Sequence, residues 1–165
     1  MNPLTSLAVE RMKFVTGCAP AALASTAGDG DRVSMKNFGR LTIVVSILNG
    51  STVTGTAITL IQATAVSGGS TKALPFSKMW ANIDTGATDT LVETAVVSDT
   101  FTTDTTNAKS LMYVIEVKAE DLDADGGYDC VAFDGALAAN SVGSVLYILS
   151  APRYTDDQPP AAITN

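Results

Sequence analysis

The most recognisable chemistry in this chain lies in seven residues, Asp121-Leu122-Asp123-Ala124-Asp125-Gly126-Gly127. Carboxylates at the first, third and fifth positions before a glycine turn open a loop that ligates a hard cation such as calcium. Such a loop closes on a bidentate Glu at its twelfth position, and that position here is Ala132. The flanking residues also read as strands, where a calcium loop has helices. A solvated acidic turn is therefore expected, with no metal bound.

The other candidates lack partners. A serine nucleophile needs a base, usually His. The chain has no His, and no Ser-x-x-Lys pair stands in for one. Without His, and without a Cys-x-x-Cys, the common zinc, haem, copper and iron sites are excluded. Cys18 and Cys130 stand far apart in sequence and do not make a disulfide framework. Buried free thiols are expected. Paired carboxylates can hydrolyse glycosides without His. Here Asp29, Asp31, Asp84, Asp89 and Asp104 fall in turn-like segments, where Asp serves to bond nearby backbone. Gly28-Asp29-Gly30 and Ser67-Gly68-Gly69-Ser70 lack the Gly-Lys-Thr/Ser of a phosphate loop. The expectation is no active site, no cofactor and no enzymatic activity.

Composition points the same way. The chain has 165 residues, enough for one domain with a real core. It is 46% hydrophobic but only 16% charged, against about 25% in typical domains. Thr, Ser, Ala, Val and Gly dominate, and β-branched residues suit a pleated surface. So little charge suggests broad surfaces covered by partner subunits. The net charge is −7, with ten basic residues scattered along the chain. Binding through phosphates needs clustered Lys and Arg, so neither nucleic acid nor an anionic membrane is an expected partner. Val15-Thr16-Gly17-Cys18 resembles a lipoprotein cleavage box, but Glu10, Arg11 and Lys13 stand where an apolar stretch belongs. No apolar run approaches the ~18 residues of a membrane helix.

The elements that hold these residues are strands. Leu41, Ile43, Val45 and Ile47 share one face, while Arg40, Thr42 and Ser46 share the other with Val44 and Leu48. Asn49-Gly50 then predicts a hairpin into a second run over 53–63. Residues 13–16 read as a short first strand, and 18–31 as a loop with one helical turn at 21–25. Ser67-Gly68-Gly69-Ser70 marks a turn. Residues 72–83 read as an edge strand or a strand broken at Pro75. Residues 91–97 and 101–106 read as further strands, the latter Thr-rich. Residues 111–117 alternate, with Leu111, Tyr113, Ile115 and Val117 on one side. Residues 119–127 are acidic, with one helical turn at most. Residues 128–133 form a strand carrying Cys130. Residues 142–150 are apolar on both faces, which predicts a central strand covered on both sides. These short strands predict an all-β fold, an antiparallel β-sandwich or barrel (jelly-roll-like) with extended termini and at most short helical turns. Residues 1–12 read as an N-terminal arm, 13–154 as a single β domain, and 155–165 as a flexible C-terminal tail.

Several segments together resemble the head structural proteins of tailed bacteriophages. They are Lys36-Asn37-Phe38-Gly39-Arg40-Leu41-Thr42-Ile43, Thr59-Leu60-Ile61-Gln62-Ala63, Lys72-Ala73-Leu74-Pro75-Phe76, Met79-Trp80-Ala81-Asn82, Tyr113-Val114-Ile115-Glu116-Val117, Gly127-Tyr128-Asp129-Cys130-Val131 and Asn140-Ser141-Val142-Gly143. The likeness spans about residues 11–154 and rests on strand patterns and small-residue turns. It implies a virion protein of the capsid decoration or cement class, with no catalytic residues to carry over. Such a protein is made in the bacterial host cytoplasm and ends on the phage head. It binds the major capsid protein as a homo-oligomer, a dimer or trimer. A tail-tube or tail-terminator subunit, and a carbohydrate-binding β-sandwich on the virion surface, are the alternatives. Interface residues are expected at Leu4 and Leu7 of the arm, at Trp80, and at Arg153 and Tyr154, because aromatic and Arg side chains often anchor interfaces.

Overall fold

The computed structural model describes residues 7–22, 31–135, 140–153 and 159–163. One helical turn, α1 (Ala8–Arg11), precedes eleven strands in the described residues. In chain order they are β1 (Lys13–Ala22), β2 (Val33–Ser34), β3 (Phe38–Asn49), β4 (Ala57–Ala63), β5 (Thr71–Ala73), β6 (Lys78–Asn82), β7 (Val92–Ala95), β8 (Thr100–Thr102), β9 (Ser110–Lys118), β10 (Cys130–Asp134) and β11 (Ser141–Pro152). They form two antiparallel sheets. The larger has the order β1-β11-β3-β9-β6-β7, and the smaller β2-β10-β4-β5 with β8 also on β4. The protein is an antiparallel β-sandwich and does not close into a barrel.

Alternation explains the core. β3 buries Leu41, Ile43, Val45 and Ile47, while β9 buries Leu111, Tyr113, Ile115 and Val117, as their period of two requires. Ile58 and Leu60 of β4 and Val131 and Phe133 of β10 belong to the same core cluster. Trp80 and the other outward residues of the large sheet lie on the opposite face.

Three expectations are corrected. Asn49-Gly50 is not a hairpin turn. β3 pairs with β11 on one side and β9 on the other along most of its length, so β4 has no free edge beside it and joins the other sheet. Neither Asn49 nor Gly50 has positive φ. Asn49 is instead buried, its side-chain amide donating to the carbonyls of Asp104 and Thr106 at 3.0 Å each. Gly50 is small because a Cβ there would stand 2.2 Å from the Asn140 carbonyl oxygen. Second, the expected loop at 18–31 begins as strand, since β1 runs on to Ala22. It does so as an edge strand, with register shifts between Thr16 and Cys18 and between Cys18 and Ala21, which admit Pro20. Third, β11 is covered on one face only. Val145, Tyr147 and Leu149 are buried, but Val142 stays 46% exposed and Leu146 37%. Antiparallel sheets tolerate one open face.

Three local expectations agree with the structure. Residues 67–70 turn β4 back onto β5, with the Thr64 N–H donating to the Ser70 carbonyl. The run containing Pro75 breaks into β5 and β6, which sit in different sheets. Ala119–Asp121 makes the single helical turn of the acidic segment. The expected flexible tail over 155–165 is not free at Ala162, which is buried and whose carbonyl accepts the Ser34 N–H at 2.6 Å.

One contact joins the sheets through the core. β2 ends opposite Val131, so the N–H of Phe133 has no strand beside it there. The phenol oxygen of Tyr147, from the other sheet, accepts that N–H at 2.9 Å. Gly17 makes room for the ring, since a Cβ there would fall 2.5 Å from it. Tyr147→Phe strands the Phe133 donor, an expected loss of about 1–3 kcal/mol. Gly17→Ala overpacks the same ring, an expected loss of about 1–3 kcal/mol. Urea denaturation measures both, and unchanged midpoints would show that the sheets are not coupled there.

Candidate interaction surface

The large sheet turns its second face outward, and register places the side chains on it. Leu146 lies opposite Val44, Val44 opposite Val114, and Val114 opposite Trp80. This apolar row crosses four strands. Phe14 lies beside Ile148, and Val142 beside Leu48. Exposure reaches 52% at Leu48 and 42% at Phe14. Charged residues stand at the margins. Arg40, Glu116 and Lys118 mark one end of the strands, with Arg40 and Glu116 paired at 3.1 Å. Lys78 and Glu93 mark the β6–β7 edge, paired at 3.3 Å. Such exposed pairs contribute little to stability.

An open groove of about 680 Å³ adjoins this face. Phe76 and Trp80 give it an aromatic wall, and Lys78, Glu116, Lys118 and Asp121 a polar one. The Lys78 ammonium sits 5.6 Å from the Trp80 ring centroid. The charges are engaged, since Lys118 pairs with Glu120 at 3.1 Å and Asp121 accepts the Lys118 N–H at 2.9 Å.

The acidic turn is spent on its own fold. Asp123 accepts the Gly126 N–H at 3.0 Å and pairs with the Lys72 ammonium. Its own N–H donates to Gln62 at 2.9 Å. The hydrogen bond from Lys72, then that from Gly126, holds the Asp123 carboxyl below the usual range. Lys72 also lies 4.3 Å from the Tyr128 ring centroid. Among the described residues no group of three His, Cys, Asp or Glu side chains converges as a metal site would.

Among the described residues, the sequence-predicted interface positions Leu7, Trp80 and Arg153 lie on different elements. Leu4 and Tyr154 lie outside the described residues. Leu7 is exposed just before α1, where its N–H donates to Glu10 at 2.7 Å. Trp80 is half-buried on the outer face of β6. Four strand spacings, about 19 Å, separate β1 from β6. Arg153 is exposed near Asn37, whose carbonyl accepts its N–H at 2.9 Å. Phe14, Leu48, Val142 and Leu146 are exposed on the outer face and were not singled out from the sequence. Their signal was present: β11 is apolar on both faces, and Val44 and Leu48 interrupt the polar face of β3.

Both cysteines are free thiols. Burial first, then the hydrogen-bonded Asp129 carboxylate, pushes the Cys130 thiol up to about 12 from 9.0. Burial, then Asp31, raises Cys18 also. The folded state therefore favours the neutral Cys130 thiol. Its contribution is complete below pH 9.0 and is lost as pH rises towards about 12. Between about pH 8 and about pH 10.5, the urea midpoint of the wild type is expected to fall further than that of Cys130→Ala. Parallel falls would remove the thiol from the account.

No protein-family model matches the chain, and no curated protein sequence matches it. The fold is similar to the crystal structure of SPBc2 prophage-derived protein YomS, with 14% identity and a TM-score of 0.47. That alignment covers 85% of this chain and 93% of the other.

Proposed function

We propose that this protein is a structural component of a phage particle, a capsid decoration or cement protein that binds the major capsid protein and stabilises the head. The observation that carries the reading is the outer face of the large sheet. It carries an apolar row across four strands and is edged by charge, which suits a subunit surrounded by protein neighbours in an assembled shell. The sequence likeness to phage head proteins supports the same class. A cement protein needs no cofactor and performs no reaction. It binds the assembled shell and not its free subunits, so it stabilises the shell by mass action. The net charge of −7 keeps the free protein apart from nucleic acid.

The test adds purified protein to expanded heads that lack it. Saturable co-sedimentation with the heads, and a rise of several degrees in their disruption temperature, are expected. Protein that stays in the supernatant at every concentration would contradict the reading.

The groove beside Trp80 favours one second reading, a carbohydrate-binding module. Its aromatic wall would stack on a sugar ring, with polar groups opposite. A glycan array separates the two. Binding that disappears in Trp80→Ala would favour this module, and an array without hits removes it.

A further inference from the structure

We infer that the outer face of the large sheet is a self-complementary contact with a second copy of this chain. The inference rests on the cement-protein reading for its purpose, but on geometry and charge for its occupant.

Area is the first argument. The large sheet has six strands, and β9 is nine residues long. Five strand spacings by nine residues give a face of about 24 Å by 30 Å, about 700 Å². A standard interface takes about 600–1,000 Å² from each partner, so the face falls within the range of a stable pair.

Charge is the second. The face carries three cations, Arg40, Lys78 and Lys118, against two carboxylates, Glu93 and Glu116. The chain as a whole is −7. The acidic excess therefore lies elsewhere on the molecule. Two copies therefore meet less charge repulsion across this face than the chain's net charge of −7 would give on average.

Placement is the third. In a two-fold contact the residues nearest the axis meet their own counterparts. Like charges there would repel, whereas aliphatic side chains pack. The centre of this face holds Val44, Leu146 and Val114, in register across three strands. The charges stand at one end and one edge. Two sheets packed face to face, with their strands about 30° apart, would bury this row as a second core. The self-contact leaves the acidic remainder of the molecule for other neighbours.

Sedimentation equilibrium tests this on the full chain. A mass twice the 17.0 kDa of one chain is expected. Leu146→Glu and Leu48→Glu should weaken the dimer by about 100-fold or more, because each buries an unpaired carboxylate. Val97→Glu, beyond the end of β7, should leave it unchanged. Trp80 is the sole tryptophan and borders the contact. Wild-type emission should therefore shift to the red on dilution, with the same midpoint as the fall in mass. That readout needs no variant to fold. A monomer at about 100 µM would overturn the inference. So would a trimer, or a dimer indifferent to both Glu variants while its Trp80 emission holds on dilution. Binding to heads is scored separately. A dimer that ignores heads leaves the contact standing and removes the cement function. Monomeric Leu146→Glu that still binds heads leaves the function standing.

Discussion

Tyr147 holds the two sheets in relation to each other. Its ring fills the core beneath Gly17, and its oxygen accepts a backbone donor beyond the end of the short β2, the N–H of Phe133. An unmet buried donor costs more than a typical hydrogen bond contributes, so the phenol is placed where nothing smaller serves. Burial raises its ionisation well above the usual phenol range, which keeps it neutral at any ordinary pH. β1 bends around the ring, with a register shift between Thr16 and Cys18. The outer edge of the large sheet is thus shaped by a residue on its neighbour.

With the inner faces locked, the outer faces are free to serve neighbours. β3 sits inside the large sheet, paired on both sides, with Ile43 and Val45 fully inward and Val44 outward. The same strand therefore presents a core and an interaction surface in alternation. The chemical side chains take no part in either. Asp121 and Asp123 cap their own turn, and Cys130 is sealed inside. The proposed function rests on shape, apolar area and charge distribution, the properties by which structural subunits recognise one another.

Local pattern was legible in the sequence, and long-range pairing was not. The alternation of 111–117 and the break at Pro75 depend on neighbours in the chain, and both are found. The Asn49-Gly50 hairpin failed because a turn dipeptide cannot reveal that β11, some ninety residues later, occupies the adjoining edge. The double apolar pattern of 142–150 was read as double burial. Its second face is exposed instead, so the same observation marks a surface. Trp80 was singled out on residue type and does lie on that surface. Leu7 and Arg153 were singled out the same way and stand apart from it, since aromatic and Arg preferences carry no information about which strand lies beside which.

The account stands or falls on whether the outer face is covered. Hydroxyl-radical footprinting reads that directly, residue by residue, on concentrated and on dilute protein. Protection of Phe14, Trp80, Leu146 and Met112 (opposite Ser46 on the same outer face) in the concentrated sample, with Val97 equally oxidised in both, is the predicted result. Equal oxidation of all five residues at both concentrations would contradict it.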